Sequence, residues 1–195
     1  MKNPSPFRSA LLAAAALLLG ACEMTTFNAA PIAAAGCDPE LAGRWLSMDE
    51  DPAKNGEVVL VVDAACQLVM ESVQKDGVRR SEPTALHLGQ HGLYRYGWVD
   101  ARWALLQFDE EHVVPETDVY LLRLARDGDR LTLWTTDDKA IAHAIIDGEL
   151  TGDVVSNDRD LFNRLTETGD AALLDHPGLF KADPVAFLRQ ADASK

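Results

Sequence analysis

His87 and His91 lie four residues apart, a spacing that could place two imidazoles on one face of a strand. With His112 or Glu111 their imidazoles could bind a transition metal. Gly89 between them, and a further glycine directly after the pair, predict a turn instead, with both imidazoles in solvent. The turn is the favoured interpretation, so no metal site is predicted.

The run Asp109-Glu110-Glu111-His112 could supply general acid–base catalysis, because paired carboxylates can divide that work. Consecutive acids in a loop more often form a solvated surface. Asp127-Gly128-Asp129 and the acidic stretch 156–160 resemble calcium loops only superficially, and are predicted to be a turn and a helix cap. The chain lacks a nucleophile elbow, phosphate loop, dinucleotide fingerprint or Cys-x-x-Cys motif. We therefore predict a protein that is not an enzyme and needs no cofactor, with an unmarked hydrolase as the weaker alternative.

Aromatic side chains at every second residue form the best candidate recognition feature. Tyr94, Tyr96 and Trp98 would share one face of a strand, and Trp103 follows nearby. Such a face usually belongs to a hydrophobic core, which is the favoured interpretation. In a barrel the same face could line a ligand cavity, and on the outside it could bind a partner.

Most elements that would position these residues are predicted to be short strands. Alternating or continuous apolar runs predict strands at 41–46, 57–63, 67–73, 84–88, 93–99, 102–108, 118–126 and 130–135. The Asp-Gly pair at 127–128 predicts a hairpin between the last two, and the bend at 63–65 predicts another.

The pattern changes after residue 135. Caps and apolar stripes predict one helix that begins near Asp137 and ends at Gly148, and a second between 156 and 169. A short strand at 150–155 would separate them, and a helical turn at 171–174 would follow. The last apolar run could start a helix or close the sheet, and the strand is favoured.

Together these segments predict a mainly β domain over 37–195. We expect an antiparallel barrel or sandwich of about seven to nine strands, with two or three short helices in the C-terminal third.

The N-terminus has the features of an export signal. Lys2 and Arg8 precede an apolar run at 10–19, which is too short to span a membrane as a mature helix. Leu19-Gly20-Ala21-Cys22 follows, and it resembles a bacterial lipobox, in which the cysteine becomes the lipidated first residue of the mature protein.

The lipobox resemblance implies that residues 1–21 are a lipoprotein signal peptide. It also implies a diacylglyceryl thioether on Cys22 and a further acyl chain on its amine, and two or more chains give stable membrane anchoring. Residues 22–36 are then predicted to be a flexible tether. Glu23 leaves the choice of membrane open, with the outer membrane favoured over the inner.

The mature chain would be strongly acidic. The 195 residues include 18 Lys and Arg against 31 Asp and Glu, and the signal holds two of the basic residues and no acidic one. The charge after cleavage is therefore 16 minus 31, or −15. This negative charge argues against nucleic acid as a partner, because Lys and Arg are needed to bind its phosphates. Any partner that is attracted by charge would be a basic protein.

Cys37 and Cys66 remain once Cys22 is assigned to the lipid. An exported protein can hold a disulfide between them, and closing a loop of about 30 residues would stabilise the fold by roughly 3–4 kcal/mol. The rival interpretation is two buried free thiols. The disulfide is favoured, and no histidine lies at zinc-ligand spacing from either cysteine.

Gly43-Arg44-Trp45 on the first predicted strand resembles the Gly-x-Trp of the lipocalin-like (calycin) barrels. The resemblance implies that Gly43 and Trp45 belong to a structural plug at the closed end of a barrel. It also implies an arginine packed over the tryptophan, to which the sequence assigns no residue. The late helical segment with Leu179-Phe180 and 184–189 is also similar to a group of uncharacterised bacterial lipoproteins, which brings no known activity.

Two functional expectations of different kinds follow from these observations. The first is a lipoprotein of the cell envelope, facing the periplasm, that binds a protein without catalysis, such as an inhibitor or immunity factor against a basic toxin or wall hydrolase. The second is a carrier or sensor of an apolar small molecule in a lipocalin-like cavity.

Overall fold

The computed structural model describes residues 23–48, 57–74, 77–107, 113–156 and 161–191. In these ranges the chain is mainly β, and its strands form one sheet of 13 strands. The strands are β1 (Glu23–Phe27), β2 (Gly43–Ser47), β3 (Glu57–Val62), β4 (Gln67–Gln74), β5 (Gly77–Arg80), β6 (Thr84–Ala85), β7 (His87–His91), β8 (Tyr94–Asp100), β9 (Val119–Asp127), β10 (Arg130–Trp134), β11 (Gly152–Ser156), β12 (Leu161–Leu165) and β13 (Val185–Arg189). The helices are α1 (Ala101–Gln107) and α2 (Asp138–Ile146), with short 3-10 helices at Pro39–Leu41 and Ala171–Asp175.

Hydrogen bonding orders the main path of the sheet as β11-β12-β1-β9-β10-β13-β2-β3-β4-β5. Outside that path, β8 pairs with β9, β7 with β8 and β6 with β4. The pairing of β1 with β12 is parallel, whereas its pairing with β9 and the other ladders are antiparallel. The sheet is open and mixed, because the short β6 reaches β4 only at Gln67 and Leu68, and β7 pairs with β8 alone.

The mainly β class is therefore confirmed. The expected antiparallel barrel or sandwich of about seven to nine strands is wrong in detail, because the sheet is mixed, is not a closed barrel and has more strands. The difference arises where β1 lies between β12 and β9. In this position β1 joins the C-terminal hairpin β11–β12 to the rest of the sheet and adds a parallel ladder.

The segment predicted as a tether, 22–36, differs from that prediction from Glu23 onward. β1 buries the side chains of residues 24–27. Further along, the amide of Ala35 donates to the carbonyl of Leu88 at 2.7 Å, so this stretch runs beside β7. The fold therefore includes residues from Glu23 onward and does not start only at residue 37.

A buried polar cluster holds β1 in place. The hydroxyl of Thr25 donates to the carboxylate of Asp138 at 2.7 Å and accepts from the side-chain amide of Asn163 at 3.1 Å. Thr136 donates to the same carboxylate at 2.8 Å. Burial raises the pKa of Asp138. These hydrogen bonds join β1, β12 and the start of α2. They therefore stabilise β1 in a position that no local sequence pattern indicates.

The hairpin at Asp127-Gly128-Asp129 and the helix α2 are confirmed. β9 and β10 pair from Asp127 and Arg130 outward. Asp137 caps α2 by accepting from the amide of Ala140 at 3.1 Å, and Gly148 follows the helix with φ 78°. The predicted closing strand is β13, which pairs with both β10 and β2.

Two predicted elements are wrong. The strand expected at 102–108 is α1, since Asp100 Oδ1 accepts from the amides of Arg102 at 2.7 Å and Trp103 at 3.1 Å and starts a helix. The second helix expected between 156 and 169 is replaced by β12, which has a full ladder with β11 on one side and with β1 on the other.

The core lies on both faces of the sheet, as the alternation along β9 illustrates. Tyr120 belongs to a large core that also holds Trp45 and Phe187. Leu121, on the opposite face, belongs to a smaller core beneath α2 that includes Ile141. We call the second one the helix-side core.

Candidate functional site

Cys37 and Cys66 form the predicted disulfide, with their Cα atoms 5.6 Å apart. Cys66 is buried in the turn between β3 and β4, whereas Cys37 precedes the first 3-10 helix and is exposed. The bridge therefore fixes the approach to β2 against the β3–β4 turn.

Trp45 is completely buried, with 0% of its surface exposed. Its indole N–H donates to the carbonyl of Leu41 at 2.8 Å. The guanidinium of Arg189 lies over the indole, 4.3 Å from the ring centroid, and donates to the carbonyls of Ala42 at 2.7 Å and of Glu40. One arginine thus holds the tryptophan and the first 3-10 helix against β13.

Gly43 is required beside this arginine for two reasons. Its φ of 143° lies in the region that favours glycine. A Cβ atom at this position would lie 2.6 Å from Nη1 of Arg189, closer than atoms can approach. The structure thus places Gly43 and Trp45, the predicted plug residues, around Arg189, which sequence analysis did not identify.

Arg44, between these two residues, pairs on its own side of β2 with a buried carboxylate. Nη2 of Arg44 lies 2.6 Å from Glu71 Oε2, and Nε of Arg80 lies 2.8 Å from Glu71 Oε1. The hydrogen bond from Arg44 holds the pKa of Glu71 below its usual range, with Arg80 adding to the effect. This network stabilises the β2–β4 region of the sheet.

The four predicted recognition aromatics are not brought together. Tyr96 and Trp98 are buried in the helix-side core. Trp103, on α1, packs against the large core, and its indole N–H donates to the carbonyl of Glu82 at 2.7 Å. Tyr94 is largely exposed, at 54%. The alternating aromatics are thus mainly core, and Tyr94 alone of the four is available at the surface.

Tyr94 belongs to a surface cluster centred on Arg123. The guanidinium carbon of Arg123 lies 4.9 Å from the ring centroid of Tyr94, 4.7 Å from that of Trp134 and 5.4 Å from that of Phe180. We call these four residues the Arg123 cluster. Sequence analysis missed it, although the β9–β10 hairpin register already places Arg123 opposite Trp134.

The guanidinium of Arg123 packs against aromatic faces and is not paired with an acid among the described residues. Its Nε is buried without a hydrogen-bond partner, and no carboxylate pairs with the guanidinium in the part of the chain that the structure describes. Rings attract a cation through their π faces. The remaining N–H groups of the guanidinium could bind an anion from outside the chain.

An apolar cavity of about 60 Å³ lies in the large core next to α1. Its walls include Leu60, Met70, Trp103, Tyr120 and Leu133. The hydroxyl of Tyr120 is buried and has no hydrogen-bond partner among the described residues, and burial raises the pKa of Tyr120 well above its usual value. Pockets for small molecules usually measure about 300–1,000 Å³, so this cavity suits only a small guest.

The turn predicted between His87 and His91 is wrong, because all five residues of β7 pair with β8 and the turn begins after His91. His87 stacks on Trp98 with ring centroids 5.8 Å apart, whereas His91 Nε2 lies 3.0 Å from Asp175 Oδ2. Within the described ranges no group of three His, Cys, Asp or Glu side chains is placed to hold a metal ion. The predicted acidic run 109–112 lies outside the described residues.

Comparison with protein-family models, with curated proteins and with solved structures found no match for this chain. None of the helices that the structure describes is long and apolar enough to cross a membrane. Function is therefore inferred from the residues and their geometry.

Proposed function

We propose that this chain is a cell-envelope lipoprotein whose acidic domain binds a basic protein partner without catalysing a reaction. The lipobox resemblance of Leu19-Gly20-Ala21-Cys22 supports a membrane anchor on Cys22, with the domain facing the periplasm and the outer membrane favoured. An inhibitor or immunity factor against a basic toxin or wall hydrolase fits this description.

The charge of the mature chain is the observation that carries the binding proposal. It is −15, from 16 basic and 31 acidic residues. The side chains of Glu116, Asp129 and Asp175 are largely exposed, so much of this charge meets solvent. A surface of one sign accelerates encounter with a partner of the opposite sign, and salt weakens the effect.

Calorimetric titration with a panel of basic wall hydrolases tests this proposal. We expect binding at low salt that weakens as salt is added, and inhibition of wall hydrolysis at the same stoichiometry. A triple variant, Asp147→Asn, Asp153→Asn and Asp183→Asn, removes three exposed charges at nearly constant shape and should bind more weakly. Gln90→Asn is the matched neutral control. Absence of binding to every hydrolase at low salt would contradict the proposal.

A carrier or sensor of an apolar small molecule is the second candidate, and the apolar cavity in the large core, with Trp103 and Leu133 in its wall, favours it. Saturation with xenon, an apolar guest small enough for a cavity of this size, should then quench Trp103 in the cavity wall. Unchanged Trp103 emission at saturating xenon would contradict the carrier function.

The lipocalin-like relationship stays part of this proposal, limited to the region around Trp45. The resemblance implies an arginine packed over the tryptophan, and Arg189 is in that position. The Gly43 contact with the same side chain adds support. The proposed relationship concerns this end of the open sheet and carries no activity with it.

A further inference from the structure

The position of β1 determines where a lipid on Cys22 would be attached. β1 starts at Glu23, and its side chains from 24 to 27 are buried. A flexible tether over 23–36 would have allowed roughly 50 Å between lipid and domain, at about 3.5 Å per residue. One peptide unit, about 3.8 Å between Cα atoms, joins Cys22 to the sheet instead. A lipid on Cys22 would hold this end of the sheet at the bilayer surface.

The strand register shows which residues share that end. Phe27 pairs with Val119 on the neighbouring antiparallel strand β9. Glu23 lies four residues before Phe27, and Arg123 lies four residues after Val119, so both lie in the same direction along the sheet. Arg123 is therefore close to the level of Glu23.

Side-chain contacts connect the two positions. The Lys139 ammonium lies 2.9 Å from Glu23 Oε1. The Lys181 ammonium lies 3.8 Å from the carboxylate at the first position of α2, directly before Lys139. Phe180 precedes Lys181 and belongs to the Arg123 cluster. Two ion pairs, joined through the neighbouring residues 138–139 and 180–181 of the chain, thus link the start of β1 to this cluster.

The same end of the sheet exposes apolar and aromatic surface. Leu93, in the turn before β8, is 95% exposed, and Tyr94 follows it. Tyrosine, tryptophan, arginine and lysine suit the boundary between lipid and water, because each combines an apolar body with a polar tip. Arg123, without a carboxylate partner in the described ranges, is suited to a phosphate from outside the chain.

We propose that the lipidated protein lies with this end against the bilayer, with Leu93 and Tyr94 in the interface and Arg123 on lipid phosphates. This inference rests on the proposed lipidation of Cys22. It fixes the orientation of the domain, so α1, which follows the opposite end of β8, faces away from the membrane. The six residue-to-residue steps from Tyr94 to Asp100, at about 3.3 Å each, separate the two ends by roughly 20 Å.

Two environment-sensitive labels test the orientation. Leu93→Cys and Leu106→Cys, each labelled with nitrobenzoxadiazole under conditions that keep the Cys37–Cys66 disulfide, give matched probes. Leu106, on α1, is 75% exposed, so neither substitution disturbs the core. The full lipidated protein is reconstituted into phosphatidylethanolamine vesicles with a minority of phosphatidylglycerol. We expect the emission of the label at 93, and not at 106, to shift to shorter wavelength and gain intensity.

Brominated lipids give a second measurement without a label. They should quench part of the tryptophan emission in the unlabelled protein, and Trp134→Phe should abolish that quenching. Equal emission changes of the two labels, together with no quenching of tryptophan by brominated lipid, would overturn the orientation. That conclusion would hold whether this surface binds a second copy, another protein or nothing. Mass spectrometry of the same sample separates the two proposals. Unmodified Cys22 would overturn both, whereas lipidated Cys22 with equal responses would overturn only the orientation.

Discussion

Replacing Trp45 with alanine should be among the most damaging single substitutions in the domain. A buried aromatic side chain removes about 150–250 Å² from water, worth roughly 4–6 kcal/mol at 25 cal/mol per Å². The hydrogen bond to Leu41 adds about 1 kcal/mol, and the stacked Arg189 about 1–2 kcal/mol. Collapse around the cavity recovers part of this loss, and such truncations typically cost about 3–5 kcal/mol. We expect the upper end, about 5 kcal/mol, of a total near 5–15 kcal/mol.

Urea denaturation of wild type and variants measures this loss as a change in the free energy of unfolding at constant m value. Leu106→Ala, at a position 75% exposed, is the control and should cost less than about 0.5 kcal/mol. Trp45→Phe retains most of the ring but leaves the Leu41 carbonyl unpaired, so it should cost about 1–3 kcal/mol and stays measurable if the alanine variant does not fold. A loss below about 1 kcal/mol for Trp45→Ala would refute the assembly around Arg189.

Reduction of the Cys37–Cys66 disulfide should lower stability by roughly 3–4 kcal/mol in thermal melts, and two titratable thiols before reduction would contradict the bridge. The pKa of Glu71 is lowered in the folded state, so its negative charge stabilises the fold. This contribution is complete above the unfolded-state pKa of about 4.3, and it is lost as the pH falls through the folded-state pKa. Acid melts of Glu71→Gln should therefore lose less stability than wild type below about pH 4, and parallel curves would argue against the pairing. Gly43→Ala should lower the free energy of unfolding by about 1–3 kcal/mol more than Gly77→Ala does. Gly77 also has a positive φ, but the space around it is open. Equal losses in denaturant melts would show that no side chain crowds position 43.

Sequence analysis predicted those elements that are determined by residues close together in the chain. The Asp127-Gly128-Asp129 turn allows a tight hairpin almost anywhere, so β9 and β10 could be placed from the sequence. Asp137 caps α2 within three residues, and Gly148 ends it. The disulfide could be proposed because assigning Cys22 to a lipid, as the lipobox resemblance implies, leaves two cysteines.

The parts that sequence analysis missed depend on partners distant in the chain. Met24 and Phe27 belong to a short segment whose burial requires β12, more than a hundred residues later. The acids and Asn at 156–160 favour a helix cap, but the two ladders of β12 outweigh a preference worth about 1 kcal/mol. Arg123 could be paired with Trp134 by register, whereas Phe180 reaches it through a contact that no spacing indicates.

The mass of the mature N-terminal peptide tests the central claim most directly. The protein is expressed with its full N-terminus in bacteria, extracted from the membrane fraction and digested without reduction. We predict that the first peptide begins at Cys22 and carries a diacylglyceryl group on sulfur and an acyl chain on nitrogen, and that Cys22→Ser loses both modification and membrane retention. A mature chain that starts at another residue, or a Cys22 with a free thiol, would contradict the account.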